Sequence, residues 1–172
     1  MTFGLKKLLG TALLPALLAF GLLSPAAYAA CTDTPEPGVN WQRCYLDKRH
    51  FQDADLTGAN LRAAFFARSD FTGANFSGID GRRAKFGTAV LNNARFDEAR
   101  LIGADFTTSE LANASFKGAD LRRARFFRAN LRGADFSGAT FGGTDFLKAD
   151  LSGATWIDGK TICPESSIGQ CN

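Results

Sequence analysis

The sequence predicts an all-β solenoid, in which the chain winds as a four-sided coil of twenty residues per turn. Two observations lead to this fold class. Between Leu56 and Trp156, every fifth residue is Leu, Phe or Trp except Gly81, which makes 20 of 21 positions without an insertion. Aromatic and Leu residues also mostly alternate from one five-residue unit to the next.

The period of five predicts the path of the backbone. A strand repeats every 2 residues and a helix every 3.6, so this pattern belongs to neither. It fits a chain that takes a short extended step, turns a corner and repeats. The residue two before each large one is nearly always Ala, which points inward where space is tight, while polar residues and Gly at the other positions face outward. Gly at the last position suits a corner that needs a positive φ.

The alternation of residue types predicts the number of sides. Stacked coils should place like residues on like. A three-sided coil repeats after 15 residues and would put Phe over Leu, whereas a four-sided coil repeats after 20 and keeps the columns nearly pure. Two opposite sides then carry Phe columns, in which Phe86 rests on Phe66 and Phe106, and stacked rings add to the energy of burial.

Gly81 is the one break in the columns of large residues, and Ile79 replaces the usual Ala in the same unit. We interpret the pair as a packing exchange, in which Ile79 fills the volume that Gly81 leaves. The alternative is a notch in the wall that binds a ligand.

The run that begins Ala54-Asp55-Leu56-Thr57-Gly58 resembles the pentapeptide-repeat proteins, over about residues 44–158. The resemblance implies a right-handed quadrilateral β-helix with four pentapeptides per coil, here about five to six coils. Some members of that family resemble DNA in shape and charge and protect DNA gyrase from quinolones. That role requires a strongly acidic surface and a cytoplasmic address, and neither is expected here.

The N-terminus carries a targeting pattern. Lys6 and Lys7 precede an apolar stretch, and Ala27-Tyr28-Ala29 supplies the small-x-small pattern of a signal peptidase site. Residues 1–29 are therefore predicted as a signal peptide that is cleaved after Ala29. An uncleaved membrane anchor and a lipoprotein modified at Cys31 are the alternatives.

The remaining chain is predicted to comprise an N-terminal cap at residues 30–45, a solenoid at 46–158 and a C-terminal cap at 159–172. Its cysteines lie only at the two ends, and an even number in an exported chain implies disulfides. A metal site is the competing interpretation, but the chain has no Cys-x-x-Cys motif and only one histidine. The favoured pairings are Cys31–Cys44 and Cys163–Cys171.

No catalytic constellation stands out in the sequence, and no cofactor or metal ion is predicted. His50 is the only histidine, and a solvated surface position is expected for it. The Asp residues of the repeat fall just before the large residue, where they bond backbone or neighbouring side chains. Glycoside hydrolysis needs two carboxylates across a cleft, which a convex rod does not offer. An enzyme is therefore not expected.

Each five-residue unit can be assigned to a side by its position modulo twenty. This assignment divides the surface into two differently charged halves. Over residues 54–158, the adjacent sides that contain Leu61 and Phe66 hold 11 bases and four acids, a balance of +7. The other two sides hold three bases and eight acids, a balance of −5. We call the first pair of sides the basic half. Its predicted binding strip consists of Arg82, Arg83, Arg122, Arg123, Arg125, Phe127 and Arg128, and its expected exposed apolar residues are Phe65, Phe127 and Leu147.

These features favour a periplasmic or secreted, non-enzymatic protein that offers the basic half to an acidic or protein partner in the cell envelope. Uneven drift of solvated charge is the alternative explanation of the same pattern. Nucleic acid is not expected as a partner outside the cytoplasm. A second hypothesis is a structural rod that dimerises through the ends of the solenoid.

Overall fold

The computed structural model describes residues 31–171, so the predicted signal peptide and its cleavage site lie outside the described residues. Within this range the backbone forms one-residue β-bridges at every fifth position, without continuous strands or helices. Twenty parallel bridges, from Asn40↔Asn60 to Asp135↔Thr155, each join residues that are 20 apart. The predicted turn of twenty residues is therefore confirmed. The ladder begins at Asn40, inside the segment predicted as the N-terminal cap.

Each corner of the coil is a tight four-residue turn. After Leu56, the N–H of Ala59 donates to the Leu56 carbonyl at 3.0 Å, and the intervening Gly58 has a φ of +68°. A positive φ at the third residue identifies a type II turn. The same turn recurs nearly every five residues, so four turns close one coil. The expected positive φ is found, although Arg, Lys, Asn and Thr also occupy the position expected for Gly.

The core consists of four columns of stacked side chains. Phe86 lies between Phe66 and Phe106, with ring centroids 5.1 and 5.0 Å away, as the column assignment predicts. Phe86 also meets Phe96 of the opposite Phe column nearly edge-on at 5.9 Å. All four rings are fully buried. Parallel contacts along a column and edge-on contacts between columns both suit the charge distribution of the rings.

The wall is filled at Gly81. A Cβ atom added to this residue would lie 2.8 Å from Cδ2 of Leu101 and 3.1 Å from Cδ1 of Ile79. Ile79 is fully buried. These contacts agree with the predicted packing exchange and leave no room for a ligand notch at this position.

The N-terminal end is closed by the Cys31–Cys44 disulfide, one of the two predicted pairs. Trp41 is 1% exposed and packs against Phe51 and Phe66, with centroid distances of 5.2 and 6.3 Å. Trp41 therefore begins the core at this end.

The C-terminal end is covered in part by the end of the described chain. The chain reverses after Asp158 and pairs antiparallel with the last coil, through Thr155↔Ile162 and Asp150↔Ile168. The second predicted disulfide, Cys163–Cys171, closes this segment. We call residues 159–171 the C-terminal tail, and it covers two of the four faces of the last coil.

Candidate functional site

The bridges fix which residues share a face. We number the faces 1 to 4 by the bridge series that begin at Asn40, Tyr45, His50 and Asp55. Faces 1 and 2 form the basic half, as the modulo-twenty assignment predicts. Corner 1 lies between faces 1 and 2, and corner 2 lies between faces 2 and 3.

The predicted strip occupies these two faces and their corners. Arg83 and Arg123 stand at corner 1, two coils apart, with φ values of +61° and +58°. Arg128 stands at corner 2 with a φ of +56°. Arg125 belongs to the bridge series of face 2, between Asp105 and Asp145. The strip thus lies on two adjacent faces, in two groups of residues that stand two coils apart.

Two of its arginines are paired with acids on their own face. The Arg82 guanidinium donates to both carboxylate oxygens of Asp80, at 2.7 and 2.6 Å. Arg122 binds Asp120 in the same way, at 2.8 and 2.6 Å. These hydrogen bonds lower the pKa of both aspartates below the usual 3.8. Part of the charge predicted for the strip is therefore neutralised within the molecule.

The other four cations of the strip are available to a partner. Arg83, Arg123, Arg125 and Arg128 are exposed, and none of them forms an ion pair within residues 31–171. Unpaired charges of one sign on one surface raise the local concentration of an oppositely charged partner.

Two shallow grooves run along corner 1, with volumes of about 380 and 360 Å³. Ile102 lines both of them. Arg82 and Arg83 border the first groove, and Arg122 and Arg123 border the second. Because neighbouring coils are spaced like paired strands, the two arginine pairs stand about 10 Å apart with an apolar side chain between them.

The apolar residues of the basic half differ from the prediction in part. Leu147 is 59% exposed, as expected. Phe65 and Phe127 are only partly exposed. Tyr45 stacks on Phe65 at 4.3 Å, and the Arg128 guanidinium lies 5.1 Å from the centre of the Phe127 ring. Each ring is therefore partly covered by a neighbouring side chain.

The basic half also contains exposed residues of the first coil that were not predicted as part of it. Arg43 and Lys48 occupy corners 1 and 2 of the first coil, and both are exposed. Tyr45 is 72% exposed on face 2. The modulo-twenty assignment identifies all three when it is extended back before residue 54.

The corners of the two halves differ in composition. Between residues 43 and 153, the basic half has 12 corner residues with positive φ, of which only two are Gly. The other half has 11 such corner residues, of which seven are Gly and the rest are Asp, Asn or Glu. A side chain in this left-handed conformation costs about 1–2 kcal/mol. The seven cations at corners of the basic half are Arg43, Lys48, Arg68, Arg83, Arg123, Arg128 and Lys148.

The carboxylates of the repeat stabilise its turns. Asp105 Oδ1 accepts hydrogen bonds from the amide and the hydroxyl of Thr107, at 3.1 and 2.6 Å. Partial burial pulls the pKa of Asp105 upward, but the Thr107 hydrogen bonds outweigh it and the pKa falls below 3.8. Asp70 and Asp150 are bonded in the same way to the residue two positions later. These acids therefore act as turn caps, as the sequence predicts.

His50 is exposed on face 3. Over residues 31–171, no three His, Cys, Asp or Glu side chains are grouped so that they could hold a metal ion. The same part of the chain contains no helix of the length and apolar character needed to cross a membrane.

Comparison with known proteins gives one family. The model of pentapeptide repeats matches this chain in eight copies, over residues 50–87, 89–126 and 124–155. No curated protein matches the sequence.

Several solved structures are similar to this chain. The pentapeptide repeat protein HetL, involved in heterocyst differentiation regulation in the cyanobacterium Nostoc sp. strain PCC 7120, is 19% identical, with 76% of this chain and 94% of that chain covered and a TM-score of 0.30. Rfr23 from the cyanobacterium Cyanothece 51142 is 23% identical, with coverages of 70% and 89% and a TM-score of 0.36. A pentapeptide repeat protein of the Arabidopsis thaliana thylakoid lumen is 26% identical, with coverages of 64% and 85% and a TM-score of 0.31.

Proposed function

Because the chain belongs to the pentapeptide-repeat family, whose model matches more than half of its length, we propose that it is a non-enzymatic scaffold that binds an acidic partner along its basic half. The right-handed winding and the count of about five to six coils are part of this proposal. So are export and a periplasmic or secreted location, which the signal-peptide pattern and the two disulfides support, since disulfides persist in oxidising compartments.

The observation that carries the proposal is the placement of cations at strained corners. Seven of the 12 corner residues of the basic half are Arg or Lys, whereas none of the 11 on the other half is. Gly would be more stable in this conformation, and it occupies seven of the 11 corners of the other half. A sequence that accumulated surface charge without a role has no reason to concentrate it where each side chain destabilises the fold.

The chemistry of the grooves defines the partner. Four exposed arginines that form no ion pair within residues 31–171 surround corner 1 and corner 2, and Ile102 adds an apolar surface between the arginine pairs. Guanidinium groups bind carboxylates and phosphates in a two-pronged geometry. The surface therefore suits an extended partner with repeated anionic groups, such as an acidic envelope polymer, an anionic lipid surface or an acidic protein segment.

The test replaces Arg83, Arg123, Arg125 and Arg128 with Gln in the purified protein. The matched control replaces Arg95, Lys117, Arg132 and Lys160 with Gln, which removes the same net charge outside the strip. Binding is measured to immobilised polyglutamate and to vesicles of phosphatidylglycerol, with phosphatidylcholine vesicles as the neutral surface. A base near an anionic surface contributes about 1 kcal/mol at low salt, so the strip variant should bind more than about a hundredfold more weakly.

The control should stay near wild-type affinity, because three of its four bases are already ion-paired in the fold. Equal losses in both variants would show that net charge alone governs retention and would overturn the proposal. Loss on polyglutamate without loss on vesicles assigns the partner to acidic polymers or proteins, and the reverse assigns it to lipid. Added salt should weaken the wild type more than the strip variant.

A further inference from the structure

The C-terminal end of the solenoid is only half covered. The C-terminal tail pairs with faces 3 and 4 of the last coil, at Asp150 and Thr155. Faces 1 and 2 of that coil, around Phe141 and Phe146, receive no further chain from residues 31–171. Both rings are only partly buried, whereas the equivalent side chains of the preceding coil, Leu121 and Phe126, are fully buried. The end therefore has the form of a step, with one half a single strand higher than the other.

The lower half of the step exposes unpaired backbone groups. Inside the solenoid, each bridge residue donates its N–H to one coil and accepts on its carbonyl from the same coil, as Asn60 does with Val39 and Trp41 at 2.9 Å each. At the last coil the corresponding groups are the carbonyls of Ala139 and Thr144 and the N–H groups of Phe141 and Phe146. These four groups have no hydrogen-bond partner within the described chain. They form an open sheet edge, which is a template for another strand.

The upper half of the step exposes a second open edge. In the tail, the bonds to the last coil are made by the neighbours of Ile162 and Ile168, such as the Thr161 carbonyl with Trp156 N–H at 2.8 Å and Gly169 N–H with the Ala149 carbonyl at 2.8 Å. The N–H and carbonyl groups of Ile162 and Ile168 themselves point away and bond nothing within residues 31–171. Their side chains are 57% and 53% exposed.

We propose that a second copy of this chain docks on this end, so that the tail of each copy completes the open faces of the other. A two-fold axis perpendicular to the rod can place the high half of one step on the low half of the other, because faces 1 and 2 then oppose faces 4 and 3 of the partner. The contact is self-complementary and closed, as a two-fold interface requires. It involves the last coil and the C-terminal tail, and none of the residues of the strip.

The strand directions agree with this arrangement. A two-fold axis across the rod makes the coils of the two copies run in opposite directions. Because the tail runs antiparallel to its own coil, it runs parallel to the coil of the partner. A parallel bridge requires the central residue of one strand to donate to, and accept from, the two neighbours of the opposite residue. The free groups of the tail and of the last coil fit this pattern.

The order of residues also agrees. The coil passes face 1 at Thr140 and then face 2 at Asp145. The partner's tail, read in the same direction, presents Ile162 and then Ile168. The partner's Ile162 therefore lies opposite Thr140, bonded to Ala139 and Phe141, and the partner's Ile168 lies opposite Asp145. Each tail takes the place of the missing coil, and the open rings at Phe141 and Phe146 become covered.

The first test is the oligomeric state of the full purified protein, measured by sedimentation equilibrium over a range of concentrations. The expected result is a monomer–dimer equilibrium that persists in high salt. Replacing Ile162 and Ile168 together with Pro removes the outward N–H groups without removing any bond within the chain, and this variant should be monomeric. Replacing the same residues with Thr keeps the N–H groups and should retain the dimer.

The second test fixes the register and remains informative if the proline variant misfolds. Thr140→Cys and Ile162→Cys proteins are prepared separately and mixed, and disulfide-linked dimers are measured. The mixture of Thr140→Cys with Ile162→Cys should cross-link, while Thr140→Cys with Ile168→Cys should not, since those positions lie on different faces.

A protein that is monomeric at every concentration, or that cross-links equally in both mixtures, would overturn the proposed joint. The Gln variant of the strip should dimerise like the wild type. Failure of the joint and failure of the basic surface are therefore separable.

Discussion

Ile79 and Gly81 share one volume in the core, and their side chains are exchanged relative to the rest of the repeat. The usual unit has Ala two positions before a large residue, whereas here the large residue comes first. Ile79 Cδ1 lies 3.1 Å from where a Cβ of residue 81 would stand. Core packing therefore depends on the summed volume of the two side chains and not on the residue type at each position.

Restoring the repeat at one position alone should destabilise the protein. Gly81→Leu adds volume where Leu101 and Ile79 already fill the space, which costs about 1–3 kcal/mol. Ile79→Ala alone leaves a cavity, which costs about 2–5 kcal/mol. The double variant should recover much of both losses, because it returns the unit to the usual arrangement. The free energy of unfolding from urea titrations measures all three.

The double-mutant cycle gives the coupling between the two positions. The double variant is expected to lose much less unfolding free energy than the sum of the two single losses. Additive losses would show that Ile79 does not occupy the volume of the missing side chain. Ala124→Gly, the same kind of truncation at a buried Ala two coils away, is a suitable control for local loosening.

The C-terminal tail is the element that the repeat does not predict. Its turn is held by Asp158, whose Oδ1 accepts the N–H groups of Lys160 and Thr161 at 3.0 and 2.8 Å, while Oδ2 accepts the Thr161 hydroxyl at 2.7 Å. The hydroxyl bond and then the two amide bonds lower the pKa of Asp158 from 3.8 to about 2. The carboxylate is thus stabilised in its charged form in the folded tail.

Acid should loosen the turn of the tail at Asp158. A carboxyl group with a depressed pKa stabilises the fold above its ordinary pKa of 3.8, and that contribution is lost as the pH falls through about 2. We expect the amides of Lys160 and Thr161 to lose protection against hydrogen exchange across this window, relative to amides of the central coils. In Asp158→Asn, the protection of these two amides should be low and independent of pH. Unchanged protection of the wild type below pH 2 would contradict the role of the carboxylate.

At the scale of the whole molecule, a strict period makes most of the structure predictable. Because each coil contacts only its neighbours, one column assignment fixes the place of every core residue, including the Phe66–Phe86–Phe106 stack. The same assignment places the arginines of the strip on adjacent faces. It cannot distinguish Arg82 from Arg83, since both are consecutive bases in one unit. The structure separates them, because Arg82 reaches back to Asp80 on its own face while Arg83 stands at the corner.

Outside the period, the two disulfides were predicted, but several other features were not. The antiparallel return of the tail depends on where the repeat stops, and nothing in the five-residue pattern specifies its direction. Tyr45 and Phe65 stack because they are 20 residues apart on the outer surface, a position where the pattern constrains only polarity. The step at the C-terminal end is also outside the pattern: within the described chain, the tail pairs with two faces of the last coil.

The two halves of the rod differ in charge and in the strain of their corners, so stability and binding should respond in opposite directions to the same change. Replacing Arg83 and Arg123 with Gly removes two side chains from left-handed conformations, at φ +61° and +58°. Relief of about 1–2 kcal/mol at each corner exceeds the greater entropy of Gly in the unfolded chain, about 0.5–1 kcal/mol. The variant should therefore gain roughly 1 kcal/mol in unfolding free energy while it loses affinity for polyglutamate.

The matched control is Thr88→Gly with Thr108→Gly at corner 2, where φ is +59° and +58°. This control relieves the same strain without removing charge, so it should be stabilised with unchanged affinity. Thermal melts and binding titrations measure both quantities. If the arginine variant gains stability and keeps its affinity, the corner cations do not serve a partner. If it loses stability, the guanidinium stems contribute packing that outweighs the backbone strain.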